Sequence, residues 1–322
     1  KDEFAAMNDI DSIIGNKEKL ESKTYKEIKE SNDRINKVGD IFEHGQAISP
    51  IIKKVENRIR GFVQIQNGCD HRCTFCIIPY GRGDSRSVEP ENVVNQINTL
   101  LDQGYKEIVL TGVDLTSYGH DLENKPNLAT LVSHILFSIP NLKRLRLSSL
   151  DVAEIDKNLM DLIKYEKRIL PHIHLSLQAG DNMILKRMKR RHLRDDAISV
   201  INEIRNVRSE VVFGADIIAG FPTESDEMFQ NTIDLIEDCN ITFLHIFPFS
   251  PREGTPAARM PQVDRYIIKK RAKILREIGK KKLLEYYDGL KNKKINVIVE
   301  DKGRGRSDTF AKVQIDNNVD NG

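Results

Sequence analysis

The sequence has few cysteines, no long apolar run and little net charge. Three of its four cysteines fall within the stretch GCDHRCTFC, and the N-terminus KDEFAAMNDI lacks a signal-peptide pattern. The number of clustered cysteines is odd, which excludes a disulfide framework among them. Together with the lack of a signal-peptide pattern, it predicts a reducing cytoplasm. No apolar segment approaches the roughly 18–20 residues that span a bilayer, so no membrane partner is expected. A net charge of +2 is too small to indicate a nucleic-acid partner by itself.

Strand-like stretches alternate with helix-like stretches through the middle of the chain. The predicted strands cover residues 61–66, 106–112, 143–149, 172–178, 211–220 and 243–250. One amphipathic helical segment is predicted from Asp181 to about Ile204. This alternation predicts an α/β fold with a parallel sheet and right-handed crossovers. An open or closed α/β barrel and a doubly wound sheet both fit the pattern.

Both ends of the sequence read as parts of neighbouring domains. The N-terminal stretch KDEFAAMNDIDSIIGNKEKL resembles the last helix and strand of something larger. The C-terminal stretch predicts a strand, a glycine-rich turn at GRGRSD and a second strand. Two strands alone are marginally stable, so this is expected to be the opening of a small β-barrel. The sequence is therefore expected to be a fragment of a longer protein.

The clustered cysteines follow the first predicted strand with C-x3-C-x2-C spacing. Cys69, Cys73 and Cys76 lie in the loop at its carboxyl end, where α/β barrels and open sheets bind ligands. Three readings compete: an iron–sulfur cube with one open iron, a zinc site completed by His71, and core packing. His71 is unusually close to Cys69 for zinc, and polar neighbours argue against core packing. Ferredoxin runs use other spacings and supply four cysteines, so the spacing favours the open cluster.

The loop and its surroundings resemble the radical S-adenosylmethionine (SAM) enzymes, and their methylthiotransferase branch in particular. The resemblance is carried by IQNGCDHRCTFCIIPYGRGDSRS and, in order, by LTGVDLTSYG, RLRLSSLD, HLSLQAGDNMILKRMKRRH, DIIAGFPTES and FPFSPREGTPAARMP. It covers residues 1 to about 320. It implies the tail of an N-terminal methylthiotransferase domain plus linker over 1–54 and a partial (β/α)6 radical-SAM barrel with a C-terminal basic helix over 55–287. Residues 288–322 would be the start of a TRAM domain, an RNA-binding β-barrel.

The resemblance also implies two iron–sulfur clusters and bound SAM. One 4Fe–4S cluster would be held by Cys69, Cys73 and Cys76, with SAM chelating its open iron. The second, held by three cysteines of the N-terminal domain in this branch, is expected on residues upstream, since no cysteine precedes Cys69. Position at the carboxyl ends of the strands predicts SAM contacts at Gly112, Asp114, Ser148, Ser149, Gln178 and Gly220. The alternative for each is a strand-end residue that satisfies local backbone.

The same blocks look most like enzymes that act on tRNA adenosine bearing a threonylcarbamoyl group. The resemblance thus implies conversion of N6-threonylcarbamoyladenosine at position 37 of tRNA to its 2-methylthio form. Its partners would be the tRNA anticodon loop, an electron donor such as flavodoxin or ferredoxin, and a sulfur source. The alternatives are a ribosomal-protein aspartate methylthiotransferase, the isopentenyladenosine enzyme, and a non-catalytic RNA-binding module with a structural metal site.

Two basic runs are candidate contacts for phosphate. KRMKRRHLR holds Lys186, Arg187, Lys189, Arg190, Arg191 and Arg194. A predicted helix from Asp264 to Tyr287 holds Arg265, Lys269, Lys270, Arg271, Lys273, Arg276, Lys280, Lys281 and Lys282. Such runs attract nucleic-acid backbones, although a solvated helix face is the alternative for the second.

Three residues are expected to belong to the core. Cys239 ends a predicted helix and precedes an apolar strand, so packing is expected. His172 and His174 alternate with apolar residues on the fourth predicted strand and are expected to be satisfied core histidines.

Overall fold

The computed structural model of the chain describes residues 2–31, 33–42, 58–301, 303–316, 319 and 322. Its N-terminal elements are α1 (Asp2–Ala5), β1 (Ser12–Ile14), α2 (Ser22–Glu30) and β2 (Ile35–Lys37). β1 and β2 pair in parallel, with α2 as the crossover between them. Residues 43–57, which include most of the expected linker, lie outside the described residues.

Alternating strands and helices follow. The strands are β3 (Arg60–Gln64), β4 (Gln66–Asn67), β5 (Arg86–Ser87), β6 (Glu107–Thr111), β7 (Leu145–Leu147), β8 (His172–Gln178), β9 (Val212–Ala219) and β10 (Phe243–Pro248). The helices are α3 (Ile78–Arg82), α4 (Pro90–Asp102), α5 (Leu128–Ser138), α6 (Lys157–Tyr165), α7 (Asn182–Met188), α8 (Arg194–Val207), α9 (Asp226–Asp238) and α10 (Arg265–Leu290). Among the described residues, every helix is too short or too polar to span a bilayer.

The strand order decides between the two expected architectures. β3, β6 and β7 pair in parallel, as do β8, β9 and β10, and isolated bridges such as Leu150–Leu175 join the two groups. Neighbours in the sheet are therefore neighbours in sequence, whereas a doubly wound sheet reverses its order at a switch point. β3 and β10 are not paired within the described part of the chain, so the barrel is open. The expected partial (β/α)6 barrel is confirmed.

The helices cover only the outer face of this sheet. In α4, Val93, Ile97 and Leu100 are buried on one stripe, and Pro90 occupies its first turn, where no N–H is needed. The strand residues that alternate toward the helices, such as Ile173 and Leu175, join the same apolar core. Cys239 lies in this core with 1% exposure, as expected.

The other side of the sheet, here called the inner face, is polar. Period-two alternation places Glu107, Arg146, His172, His174 and Asp216 on it, because at least one neighbour of each along the chain belongs to the outer core. Glu107 is fully buried and accepts from Arg146 Nε at 2.9 Å and from Arg144 at 2.9–3.0 Å. The inner face is therefore held by ion pairs instead of apolar packing.

The expectation of satisfied core histidines is wrong for His172. Neither of its ring nitrogens has a hydrogen-bond partner among the described residues. Its ring stacks on Phe310 with centroids 4.7 Å apart and meets Phe243 edge-on. Burial, reinforced by the charge of Arg146, holds the pKa of His172 well below its usual range. Aromatic packing thus keeps this imidazole neutral in place of hydrogen bonds.

The amphipathic segment from Asp181 to Ile204 is two helices and not one. α7 ends at Met188, its C-cap Lys189 has a left-handed φ of 62°, and α8 begins at Arg194. Between them Arg190 and the buried His192 turn inward toward Asp151. These contacts to a distant carboxylate break a helix that periodicity alone would continue.

The glycine-rich turn predicted at GRGRSD is also wrong. The C-terminal region forms an antiparallel meander of β11 (Val297–Asp301), β12 (Arg304–Ser307) and β13 (Lys312–Gln314), and the motif supplies the middle strand. Gly305 fits there because a Cβ would lie 2.6 Å from the Val297 side chain. The turn precedes it at Gly303, whose φ is 77°. The assignment of residues 288–322 to a TRAM domain stays a prediction, as do the boundaries at 1–54 and 55–287.

We expect Glu107→Ala to lower the free energy of unfolding by about 3–5 kcal/mol, because Arg146 would be left buried without its partner. Glu91→Ala is the matched control, since Glu91 is exposed and pairs with His134 at the surface. Glu91→Ala should lower the free energy of unfolding by less than about 1 kcal/mol. Urea denaturation followed by circular dichroism measures both variants. Equal effects of the two substitutions would contradict the assignment of Glu107 as the anchor of the inner face.

Candidate functional site

Main-chain hydrogen bonds fix the cysteine loop after β4. Cys69 N donates to Gly83 O at 3.1 Å, and Cys76 N donates to Cys73 O at 3.1 Å. Thr74 bridges elements distant in sequence: its N donates to Met188 O at 3.1 Å, and its O accepts from Ala257 N at 2.9 Å. The loop is therefore curled by its own backbone and held by α7 and by the segment after β10.

The three loop cysteines open into one cavity at the carboxyl ends of the barrel strands. It is lined by Cys69, His71, Cys73, Phe75, Cys76, Ile78, Val113, Asp114, Ser149, Asp151, Ser176, Gln178 and Arg190. Its empty space, including the part open to solvent, is about 670 Å³. All three thiols are free and partly exposed.

The structure brings together half of the positions predicted to contact SAM. Asp114, Ser149 and Gln178 line the cavity with the cysteines. Gln178 has a φ of 69°, a left-handed conformation that is rare for residues other than glycine. Strained backbone of this kind clusters at functional sites. Contact of these residues with SAM stays a prediction.

Gly112, Ser148 and Gly220 are not among the lining residues of this cavity. A Cβ on Gly112 would lie 2.9 Å from Gln66 Oε1, and one on Gly220 would lie 2.6 Å from the Ile268 side chain. Ser148 N donates to Leu110 O within the sheet. Close packing and sheet pairing are described at these three positions, and their contact with SAM also stays a prediction.

Among the described residues, no cation lies beside the loop thiols to stabilise their thiolate forms. Burial, followed by the charge of Asp114, raises the pKa of Cys69 to about 12. Burial also raises the pKa of Cys76. Bound iron stabilises thiolates directly, so three such thiols converging on one cavity fit a cluster held at three corners.

His71 is engaged elsewhere, which weakens the zinc reading. Its Nε2 lies 2.7 Å from Asp114 Oδ2 and 3.6 Å from Glu154 Oε1. Hydrogen bonds to these two carboxylates raise the pKa of His71 to about 10. A zinc ligand must instead be neutral and direct a lone pair at the metal.

A network of ion pairs that the sequence did not reveal surrounds the cavity. Asp151 Oδ2 lies 3.0 Å from the Arg190 guanidinium, and Glu154 Oε1 lies 2.8 Å from that of Arg191. Burial opposes ionisation of both acids, but His192 and Arg190 hold the pKa of Asp151 well below its usual range. His71 and Arg191 similarly lower the pKa of Glu154 to about 2. The only sequence signal for this network is that the stretches RLSSLD and KRRH contain charged residues.

Most side chains of the first basic run therefore have partners within the protein. Arg190 and Arg191 pair with Asp151 and Glu154, Arg187 donates to Thr223 O, and Arg194 pairs with Asp238 at 2.6 Å. For Lys186 and Lys189 no side-chain partner is described. The expectation that the whole run faces phosphate is wrong, because folding brings acids from other elements against it.

Gln66, also missed from sequence, ties the cysteine loop to the loop that carries Asp114. Its buried side chain accepts from Val113 N and Asp114 N, both at 2.9 Å, through Oε1. Its Nε2 donates to Gly68 O at 2.8 Å and to Ser85 Oγ at 2.9 Å. One amide thus fixes the relative position of two cavity walls.

Comparison with known proteins gives the class of this site. The family model described as the Radical SAM superfamily matches residues 63–236, more than half of the chain, from the first barrel strand into α9. The barrel is also similar to the radical S-adenosylmethionine methyltransferase TsrM from Kitasatospora setae, with a TM-score of 0.50 and 17% identity. That match covers 68% of this chain and 42% of the other, and it supports the fold alone. The chain belongs to the radical SAM superfamily.

Comparison with curated relatives shows which family within the superfamily the chain belongs to. The chain is 48% identical over 313 residues to the threonylcarbamoyladenosine tRNA methylthiotransferase MtaB of Rickettsia prowazekii, covering 97% of this chain and 73% of that protein. It is 38% identical over 314 residues to the protein of the same name from Aquifex aeolicus, covering 97% and 76%. Within the superfamily, the chain is a member of the threonylcarbamoyladenosine tRNA methylthiotransferase family.

We expect Gln66→Leu to reduce the iron retained per chain after anaerobic reconstitution, with all three loop cysteines intact. The substitution leaves the Val113 and Asp114 N–H groups without their acceptor, at about 1–3 kcal/mol for the buried Asp114 group. Gln230→Leu is the control, because Gln230 contacts only Asp234 on an exposed face of α9. Iron analysis and thermal denaturation measure both variants. Full iron content in Gln66→Leu would show that this amide does not position the loop.

Proposed function

We propose that this chain converts N6-threonylcarbamoyladenosine at position 37 of tRNA to its 2-methylthio form. One observation carries the proposal: the C-x3-C-x2-C cysteines meet in a cavity at the mouth of a partial barrel. The 48% identity over 97% of the chain to a protein named for this modification supports the substrate. The alternatives are the activities of the isopentenyladenosine enzyme and the ribosomal-protein aspartate enzyme, and the nucleoside analysis described below distinguishes them.

The residues of the cavity fit SAM and a 4Fe–4S cluster. When bound, such a cluster supplies the electron that cleaves the S–C5′ bond of SAM, so that the resulting radical can abstract a hydrogen atom. Cys69, Cys73 and Cys76 would hold its iron, since soft thiolates suit iron–sulfur centres. The Ser149 hydroxyl and the Gln178 amide offer uncharged hydrogen-bonding groups for SAM. Phe75 and Ile78 give the cavity an apolar wall, which would help to exclude water.

Three further components complete the proposal. Reductive cleavage needs an electron donor, such as flavodoxin or ferredoxin, and thiolation needs a sulfur source. A second cluster would need ligands other than the cysteines of this sequence, since none precedes Cys69 and Cys239 is buried in the core. We place the reaction in the cytoplasm because its substrate is a tRNA.

The mouth-side end of α10 is the best-placed surface for the tRNA backbone. Arg271 and Lys282 are buried and paired with acids, and Lys273 and Lys281 each lie 3.8 Å from a glutamate one turn on. Arg265 and Lys269 are exposed and have no described ion pair. They line a surface cavity with residues 248–251, which follow the carboxyl end of β10. We therefore assign phosphate contact to these two residues.

We expect Arg265→Ala combined with Lys269→Ala to weaken tRNA binding and its salt dependence. Losing two phosphate contacts should reduce the slope of log K against log salt by about 1.4–1.8. The control combines Lys273→Ala with Lys281→Ala, which removes equal charge from the same helix at paired positions. Filter binding across a salt series measures both variants. If both double variants changed the salt dependence of tRNA binding equally, or if neither did, the assignment of phosphate contact to Arg265 and Lys269 would be refuted.

We expect alanine at Cys69, Cys73 or Cys76 to abolish the visible absorption of the reconstituted cluster and the release of 5′-deoxyadenosine from SAM under reduction. Cys239→Ala should retain both, because Cys239 packs in the core. Zinc without iron in the reconstituted protein would favour an RNA-binding module with a structural metal.

For the substrate, nucleosides from cells lacking the full-length protein are analysed by mass spectrometry. The 2-methylthio mark should vanish from threonylcarbamoyladenosine while the unthiolated nucleoside accumulates. Loss of the mark from isopentenyladenosine, or an unchanged profile with an unmodified ribosomal aspartate, would identify the alternatives.

A further inference from the structure

We propose that His174, Asp216 and His245 form a second metal site, which takes a divalent transition-metal ion and is separate from the cysteine loop. The three residues lie on the adjacent strands β8, β9 and β10. All three side chains extend from the inner face, and their candidate ligand atoms lie within 4.8 Å of one another. None of them belongs to the lining of the cysteine cavity.

The separations between ligand atoms match those around a single ion. His174 Nε2 and His245 Nδ1 lie 3.1 Å and 3.2 Å, respectively, from Asp216 Oδ1. Nitrogen and oxygen ligands about 2.0–2.2 Å from Zn²⁺ are about 3.0–3.5 Å apart when adjacent in tetrahedral or octahedral geometry. Both separations fall in this range, and a bound ion would take the place of the proton in the hydrogen bond between His245 Nδ1 and Asp216 Oδ1.

His174 offers a second, independent indication. It is 7% exposed, yet its Nε2 forms no hydrogen bond among the described residues, although Asp216 Oδ1 is only 3.1 Å away. An unpaired buried nitrogen is otherwise costly, at about 1–3 kcal/mol.

The sheet makes room for this arrangement. Gly214 lies opposite His174 in the register of β8 and β9, and a Cβ there would come within 2.7 Å of His174 Nδ1. Any side chain at residue 214 would displace the imidazole. His245, whose side chain is 60% exposed, provides access from solvent.

Two imidazoles and one carboxylate define the class of ion. Imidazole suits Zn²⁺, Fe²⁺, Co²⁺ and Ni²⁺, whereas Mg²⁺ and Ca²⁺ prefer oxygen ligands alone. Three protein ligands leave coordination positions open to water or another oxygen donor. His174 precedes Ser176, which lines the cysteine cavity, by two residues on the same strand. The site would therefore lie about 6–7 Å deeper along the inner face than Ser176.

The test counts zinc in untagged, full-chain protein that already carries its iron–sulfur cluster. Zn²⁺ is added, excess is removed by gel filtration, and both metals are measured by mass spectrometry. We expect about one Zn²⁺ per chain in the unmodified protein and none above background in His245→Ala. Isothermal titration calorimetry should show an affinity loss beyond the roughly 10–100-fold that follows loss of an outer-sphere partner. The iron content should be the same in both proteins. Unchanged iron would show that the zinc site is distinct from the cluster on the cysteine loop.

His134→Ala is the matched control, because His134 pairs with Glu91 at the surface of α5. It should bind zinc as the unmodified protein does. Asp216→Asn preserves shape and should lower affinity as His245→Ala does, with circular dichroism verifying the fold of both. Failure of the unmodified protein to retain zinc, or equal retention by His245→Ala, would overturn the proposal.

Discussion

Negative charge concentrated around one cavity is the constraint on which the rest of the site depends. Three thiols, Asp114, Asp151 and Glu154 face or flank the same space. Water is partly excluded there, so each acid must find a cation close by. Arg190 and Arg191 pair with Asp151 and Glu154, and His71 lies between Asp114 and Glu154. The structure describes no cation beside the three thiols, and bound iron would stabilise their thiolate forms.

The barrel is organised to allow this concentration of charge. Helices cover the outer face with a continuous apolar core, so the inner face is free to carry polar residues. At its amino-terminal end, Glu107 gathers Arg144 and Arg146, and Arg144 also contacts Asp308 from the C-terminal meander. Phe310 stacks on His172 and lies 4.9 Å beneath the Arg146 guanidinium. The C-terminal segment therefore closes the end of the barrel opposite the mouth.

Sequence reasoning found the features that are local. The barrel strands follow from alternation, and Cys69, Cys73 and Cys76 follow from spacing within one loop. Asp114, Ser149 and Gln178 were found because a strand end in an α/β barrel has a known location. Gln66 could not be found in this way, since its partners Val113 and Asp114 are 47 and 48 residues away. Only the folded sheet brings them together.

The wrong predictions also arise from contacts between residues that are distant in sequence. Arg190 and Arg191 read as a basic run because their acids, Asp151 and Glu154, lie on another element. The same pairing drew the chain inward and split one predicted helix into α7 and α8. Charge in a sequence reports what a residue can pair with, whereas topology decides whether the partner is a phosphate or a buried carboxylate. On this chain that distinction leaves Lys186, Lys189, Arg265 and Lys269 among the exposed cations for which no acidic partner is described.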